Sequence, residues 1–83
     1  MRGADFGRDR KASCLLAQLD VIAAKSGADA AGLTRYAEAM TQDEWRQLTA
    51  DANERHACRV THGFPSADTQ AAVLDALRRR AAA

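Results

Sequence analysis

Residues 41–63, TQDEWRQLTADANERHACRVTHG, constrain the fold more than any other stretch because they carry their own start and stop signals. Thr41 and Glu44 have the spacing of a capping box, in which each side chain satisfies an orphan amide at a helix start. Asp43 and Glu44 also stand where the positive end of the helix dipole favours negative charge. At the other end Gly63 suits a left-handed C-cap, and Pro65 cannot continue a helix. Trp45, Leu48 and Ala52, continued by His56, form one apolar stripe of this predicted helix. Asp43, Gln47, Asp51 and Glu54 form another, more than about 90° away, which must face solvent or a partner. Beyond Glu54 the β-branched Val60 and Thr61 weaken the helix, so it ends either at Gly63 or earlier, near Ala57.

The flanking segments read as helices too. Over 9–25, Ala12, Leu15, Leu16, Leu19, Ile22 and Ala23 fall in one arc at about 100° per residue, and Ser26-Gly27 closes the helix. Asp29 is placed to cap a second helix through Met40. Its inner face is Leu33, Tyr36, Ala37 and Met40, while Ala31, Thr34, Arg35 and Glu38 look outward. Ser66 caps a fourth helix to about Arg80, with Val73, Leu74 and Leu77 inward. Residues 1–8 lack periodicity and read as a flexible arm, 9–80 as one helical domain and 81–83 as a frayed tail. No alternating β-branched run predicts a strand. The expected fold is all-α, a compact bundle of four short helices, or five.

Its core is thin. Twenty of the 83 residues are Ala, which favours helix but buries little area. The larger apolar candidates are Leu15, Leu16, Leu19, Val21, Ile22, Leu33, Tyr36, Met40, Trp45, Leu48, Val60, Phe64, Val73, Leu74 and Leu77, with Phe6 in the arm undecided. A homodimer, or a partner, is one way such a domain completes its core. No run approaches the roughly 18 apolar residues of a bilayer span, and MRGADFGRDRK lacks the apolar stretch of a signal peptide. A cytoplasmic protein is expected, with Cys14 and Cys58 as reduced thiols.

Net charge is +1, but it is unevenly distributed. Over 1–11, Arg2, Arg8, Arg10 and Lys11 exceed Asp5 and Asp9 by two. Over 12–54, Asp20, Asp29, Glu38, Asp43, Glu44, Asp51 and Glu54 exceed Lys25, Arg35 and Arg46 by four. Over 55–83, five arginines exceed Asp68 and Asp75 by three. The ends are basic and the middle is acidic.

The chain has no Gly-rich phosphate loop, no nucleophile elbow and no HExxH helix. A bundle this small leaves little room for a buried pocket of roughly 300 Å³. An enzyme is therefore not expected, nor a cofactor. Cys14, His56, Cys58 and His62 invite a zinc reading, yet His56 points away from Cys58 and His62 on a continuing helix. No metal site is expected.

Residues 22–36, IAAKSGADAAGLTRY, resemble the helix-turn-helix of the lambda-repressor-like DNA-binding family. Ala23 is the small residue, Gly27 the turn four later, Leu33 the apolar anchor six further, and TRY the ending. The resemblance implies a small transcriptional regulator that contacts DNA through Thr34 and Arg35, with the basic ends on phosphates. Asp29 and Glu38 on the same face oppose that use, because phosphate contacts supply most nonspecific affinity.

The acidic middle supports a different expectation. Asp43, Glu44, Asp51 and Glu54, with Asp29 and Glu38, are suited to docking on a basic surface, and such surfaces are mostly built to hold nucleic acid. In general character the chain resembles the small anti-CRISPR proteins of phages and mobile elements: short, often helical, without catalytic motifs. That resemblance implies a non-enzymatic inhibitor that blocks target-DNA binding by a CRISPR effector complex.

Overall fold

The computed structural model describes the backbone of residues 2–60 and 65–83, with side chains from Arg10 onward. Four helices follow in order: α1 (Arg2–Ser26), α2 (Ala30–Glu38), α3 (Gln42–His56) and α4 (Ala67–Ala82). Among the described residues there is no strand, and the fold is an all-α bundle. The helix expected from residue 9 starts at Arg2, so backbone read as an arm is helical. Phe6 and Phe64, both core candidates, and Gly63 lie outside the residues whose side chains or placement are described.

Local signals set most of the boundaries. α1 ends where Gly27 takes φ +76°, a conformation that disfavours any side chain although a Cβ there would meet nothing. The amides of Gly27 and Ala28 both turn back to the Ala23 carbonyl, at 2.8 and 3.1 Å, satisfying a group the helix end would orphan. Asp29 caps α2 by accepting from the Gly32 amide at 2.8 Å. Gly32 suits that cap, because a Cβ on it would sit 3.1 Å from the Asp29 carboxylate. The Thr41–Glu44 capping box is formed in both directions, at 2.8 and 3.2 Å. Ser66 caps α4 through the Thr69 amide.

α3 ends at His56, the earlier of the two predicted stops, and Ala57 takes the left-handed cap at φ 54°. What replaces the helix is a clamp. Asn53 pairs its amide with the Val60 backbone, accepting from the Val60 N–H at 3.0 Å and donating to its carbonyl at 3.2 Å. This turns the chain back and buries Val60. The same turn brings Cys58 onto α1, where it forms a disulfide with Cys14 across 44 residues of sequence. The expectation of two reduced thiols is thereby overturned, because the helix that would have carried Cys58 away from α1 stops two residues before it.

Helix α1 is central, packing on both α3 and α4, while α2 packs on α4. The core comprises Ala12, Leu15, Leu16 and Leu19 of α1, Leu33 and Ala37 of α2, Met40, Trp45, Leu48 and Ala52 around α3, and Val73 and Leu77 of α4. Each large side chain so buried contributes about 1.5–3 kcal/mol. Trp45, 3% exposed, is the largest of them. Tyr36, expected inside, is 41% exposed. Thr34, expected outside, takes the buried place instead, with its hydroxyl shared between the carbonyls of Ala30 at 2.8 Å and Leu77 at 3.2 Å. A threonine satisfied by its own helix can be buried at little cost.

Candidate protein-binding surface

The charged residues separate into those closed within the molecule and those left open. Successive helical residues diverge by about 100°, so Arg78, Arg79 and Arg80 reach three different places. Arg78 pairs with Glu38 of α2 at 2.8 Å, Arg80 with Asp20 of α1 at 2.9 Å, and Arg79 with Asp75 one turn back. These half-exposed pairs contribute about 0–1 kcal/mol each. Their larger effect is on availability: the basic C-terminal cluster has its carboxylates already, and Glu38 has its arginine.

α3 is different. Asp43 is highly exposed and lies 3.2 Å from Arg46, one turn along the same helix. Glu44, exposed, accepts from the Thr41 amide through one oxygen. Asp51, half-buried, accepts from Gln47 at 3.0 Å, a neutral partner, and among the described residues it has no ion pair. Glu54 is exposed and, among the described residues, makes no side-chain hydrogen bond or ion pair. The predicted stripe is therefore present on α3, whereas the two further acids expected to dock with it, Asp29 and Glu38, contribute little. Asp29 is engaged as a cap, and Glu38 is drawn to α4.

Asp51 and Glu54 also line a groove of about 450 Å³ between α1 and α3, with Gln18, Val21, Ile22, Lys25 and Arg55. It is an open seam between helices, not a buried pocket. None of its α1 residues was identified as functional from sequence. Gln18 lies about 40° beyond Ile22 and 60° beyond Leu15 around α1, just outside the apolar arc, yet it is 5% exposed. The bundle buries this polar residue at the edge of that arc.

The alternative sites fare differently. Thr34 is 7% exposed and faces α4, so it cannot touch DNA, and of the predicted pair only Arg35 is on the surface. Cys14 and Cys58, joined to each other, have no thiolate to offer a metal. His62 lies outside the described residues, and among those described no group of three or more His, Cys, Asp or Glu could hold a metal ion. No described helix is long and apolar enough to cross a membrane. No protein-family model, no curated protein and no solved structure matches the chain, so what the surface does must be read from these side chains.

Proposed function

We propose that the protein is a non-enzymatic, protein-binding inhibitor that docks the outer face of α3 on the basic surface of a nucleic-acid-handling complex. By occupying the arginines and lysines that hold nucleic acid, it excludes the nucleic acid itself. A CRISPR effector complex is the partner class to test first, which makes the chain an anti-CRISPR protein acting in the host cytoplasm. The observation that carries this reading is the contrast in pairing. Glu44, Asp51 and Glu54 have no arginine partner among the described residues, while the arginines of α4 all have acids. The complementary reading, a helix-turn-helix regulator, loses one of its two DNA contacts to the core at Thr34.

The test is capture of CRISPR effector complexes, with and without target DNA, by the wild-type domain and by Asp51→Lys/Glu54→Lys. The reversal is expected to weaken capture by at least about tenfold, since each 1.4 kcal/mol of lost attraction is a factor of ten. Equal capture by both proteins would remove the role of charge. Absence of any effector among the captured proteins would remove the anti-CRISPR assignment.

Acting in the cytosol adds a requirement. Cytosolic thiol pools keep disulfides open, so the Cys14–Cys58 bond must be dispensable for the α3 surface. Capture is expected to persist in excess dithiothreitol. Loss of the fold on reduction would exclude a cytosolic inhibitor.

A further inference from the structure

We propose that Cys58 is a site of reversible mixed-disulfide formation with a small anionic thiol, reached by opening of the Cys14–Cys58 bond. The assignment goes beyond the docking reading and does not depend on it. Access distinguishes the two sulfurs. Both cysteines are half-buried, but Cys58 stands on the non-helical corner after α3, between the exposed Ala57 and Arg59. Cys14 is set in the central helix beside the fully buried Leu15. A thiolate attacks in line with the S–S bond, from behind the sulfur it joins, and the open side is that of Cys58.

The backbone supplies a second observation. Ala57 and Arg59 have φ of 54° and 58°, and among the described residues they are the only non-glycines with positive φ. A residue with a side chain is strained in this region and stays there only while its surroundings enforce it. Three restraints do so here: the disulfide, the Asn53 clamp on Val60 and the burial of Val60. Opening the bond removes the one restraint that acts on Cys58 itself. Its two neighbours then relax toward ordinary φ, which opposes re-closure and lets a mixed disulfide persist.

Charge selects the thiol. Arg10 and Lys11 precede Cys14 by one turn of α1, and Arg55 and Arg59 lie on either side of Cys58 in sequence. All four are exposed, and among the described residues none has an ion pair. Asp51 and Glu54, which line the α1–α3 groove with Arg55, offset part of this charge. Asp75 and Arg79, beside Ser13, are neutral as a pair. Four cations against two acids leave the corner positive, so an anionic thiolate is drawn to it and the charge left on Cys14 is stabilised.

The incoming thiolate bonds to Cys58 Sγ with its electron pair. The Cys14–Cys58 bond breaks, and its pair leaves on Cys14 Sγ, which takes up the proton that the attacking thiol released. A second thiolate attacks the sulfur of the added thiol and frees Cys58. Two thiols are thereby oxidised to their disulfide, and the protein disulfide gains two electrons and two protons.

The experiment follows opening of the intact oxidised protein by glutathione, 2-mercaptoethanol and cysteamine, with each rate divided by that thiol's rate on a neutral small disulfide. So normalised, glutathione should exceed cysteamine about tenfold at low salt, with 2-mercaptoethanol between them, and the advantage should shrink in about 0.5 M NaCl. Arg55→Gln should lower the advantage about two- to threefold. Arg59→Asn should do the same, since Asn tolerates the left-handed region and removes only the charge. Quenching with N-ethylmaleimide and peptide mapping should find glutathione on Cys58 and the maleimide on Cys14. Four results overturn the assignment: equal normalised rates for glutathione and cysteamine, an advantage indifferent to salt and to both arginine variants, an adduct confined to Cys14, or no mixed disulfide at all. A rate independent of thiol concentration would also overturn it, because the bond would then open only after unfolding.

Discussion

At the C-terminal end of α4 three consecutive arginines each meet a carboxylate of the same chain, whereas on α3 only Asp43 meets an arginine, Arg46 of its own helix, and Glu44, Asp51 and Glu54 meet an amide, a glutamine or, among the described residues, nothing. Both regions are rich in charge and both look interactive in the sequence. The difference lies in what each helix has for neighbours. α4 runs beside α1 and α2, whose acids lie within reach, so its charges are consumed in fastening the bundle. α3 packs on α1 alone among the strong helix contacts of the described residues, and no described arginine of another helix pairs with its acids. Charge density in a sequence therefore says little about a binding surface until the internal partners are subtracted.

That contrast can be broken or sharpened by substitution. Trp45→Ala should have the largest effect, about 3–5 kcal/mol, because it removes the anchor that holds α3 against α1. Urea denaturation should show the loss, and partner capture should fail with the fold. Opening the disulfide by Cys14→Ser/Cys58→Ser comes next. A loop of 44 residues corresponds to about 4 kcal/mol in the chain-entropy account and commonly to 2–4 in practice. Calorimetry of both proteins measures it, and capture at a temperature where both are folded should be equal.

Thr41→Ala should cost about 1 kcal/mol, since it breaks the capping box that orients Glu44, and a small loss of capture should accompany the drop in stability. The smallest effect is expected for Arg80→Ala, at most about 1 kcal/mol, with no change in capture. A larger loss of capture there than at Glu54 would invert the comparison and make the basic end the interface.

Much of this architecture was legible because it depends on near neighbours in sequence. The caps at Asp29, Thr41 and Ser66 each involve residues three apart, and all three form as read. The apolar stripes of α1, α3 and α4 follow from helical spacing, and the acidic stripe of α3 is their complement. What could not be read depends on residues distant in sequence. Cys14 and Cys58 look unrelated until Ala57 and Asn53 turn the chain after α3. Thr34 and Tyr36 exchange their expected places because α4 approaches the threonine side of α2, and a hydroxyl bonded to its own helix tolerates burial there. The arginine triplet reads only as part of a basic end until the helices that carry Glu38 and Asp20 are in position. Gln18 belongs with these, since it stands about 40° outside the apolar arc of α1 and is buried only once the bundle is packed.

The pairing of Asn53 with Val60 has a consequence for local dynamics. A primary amide that both gives to and receives from one backbone residue imitates an adjacent strand, so this non-helical corner is tied to α3 as firmly as a ladder rung. Deuterium uptake should accordingly be slow at the Val60 amide, a retarded site in an otherwise fast-exchanging turn.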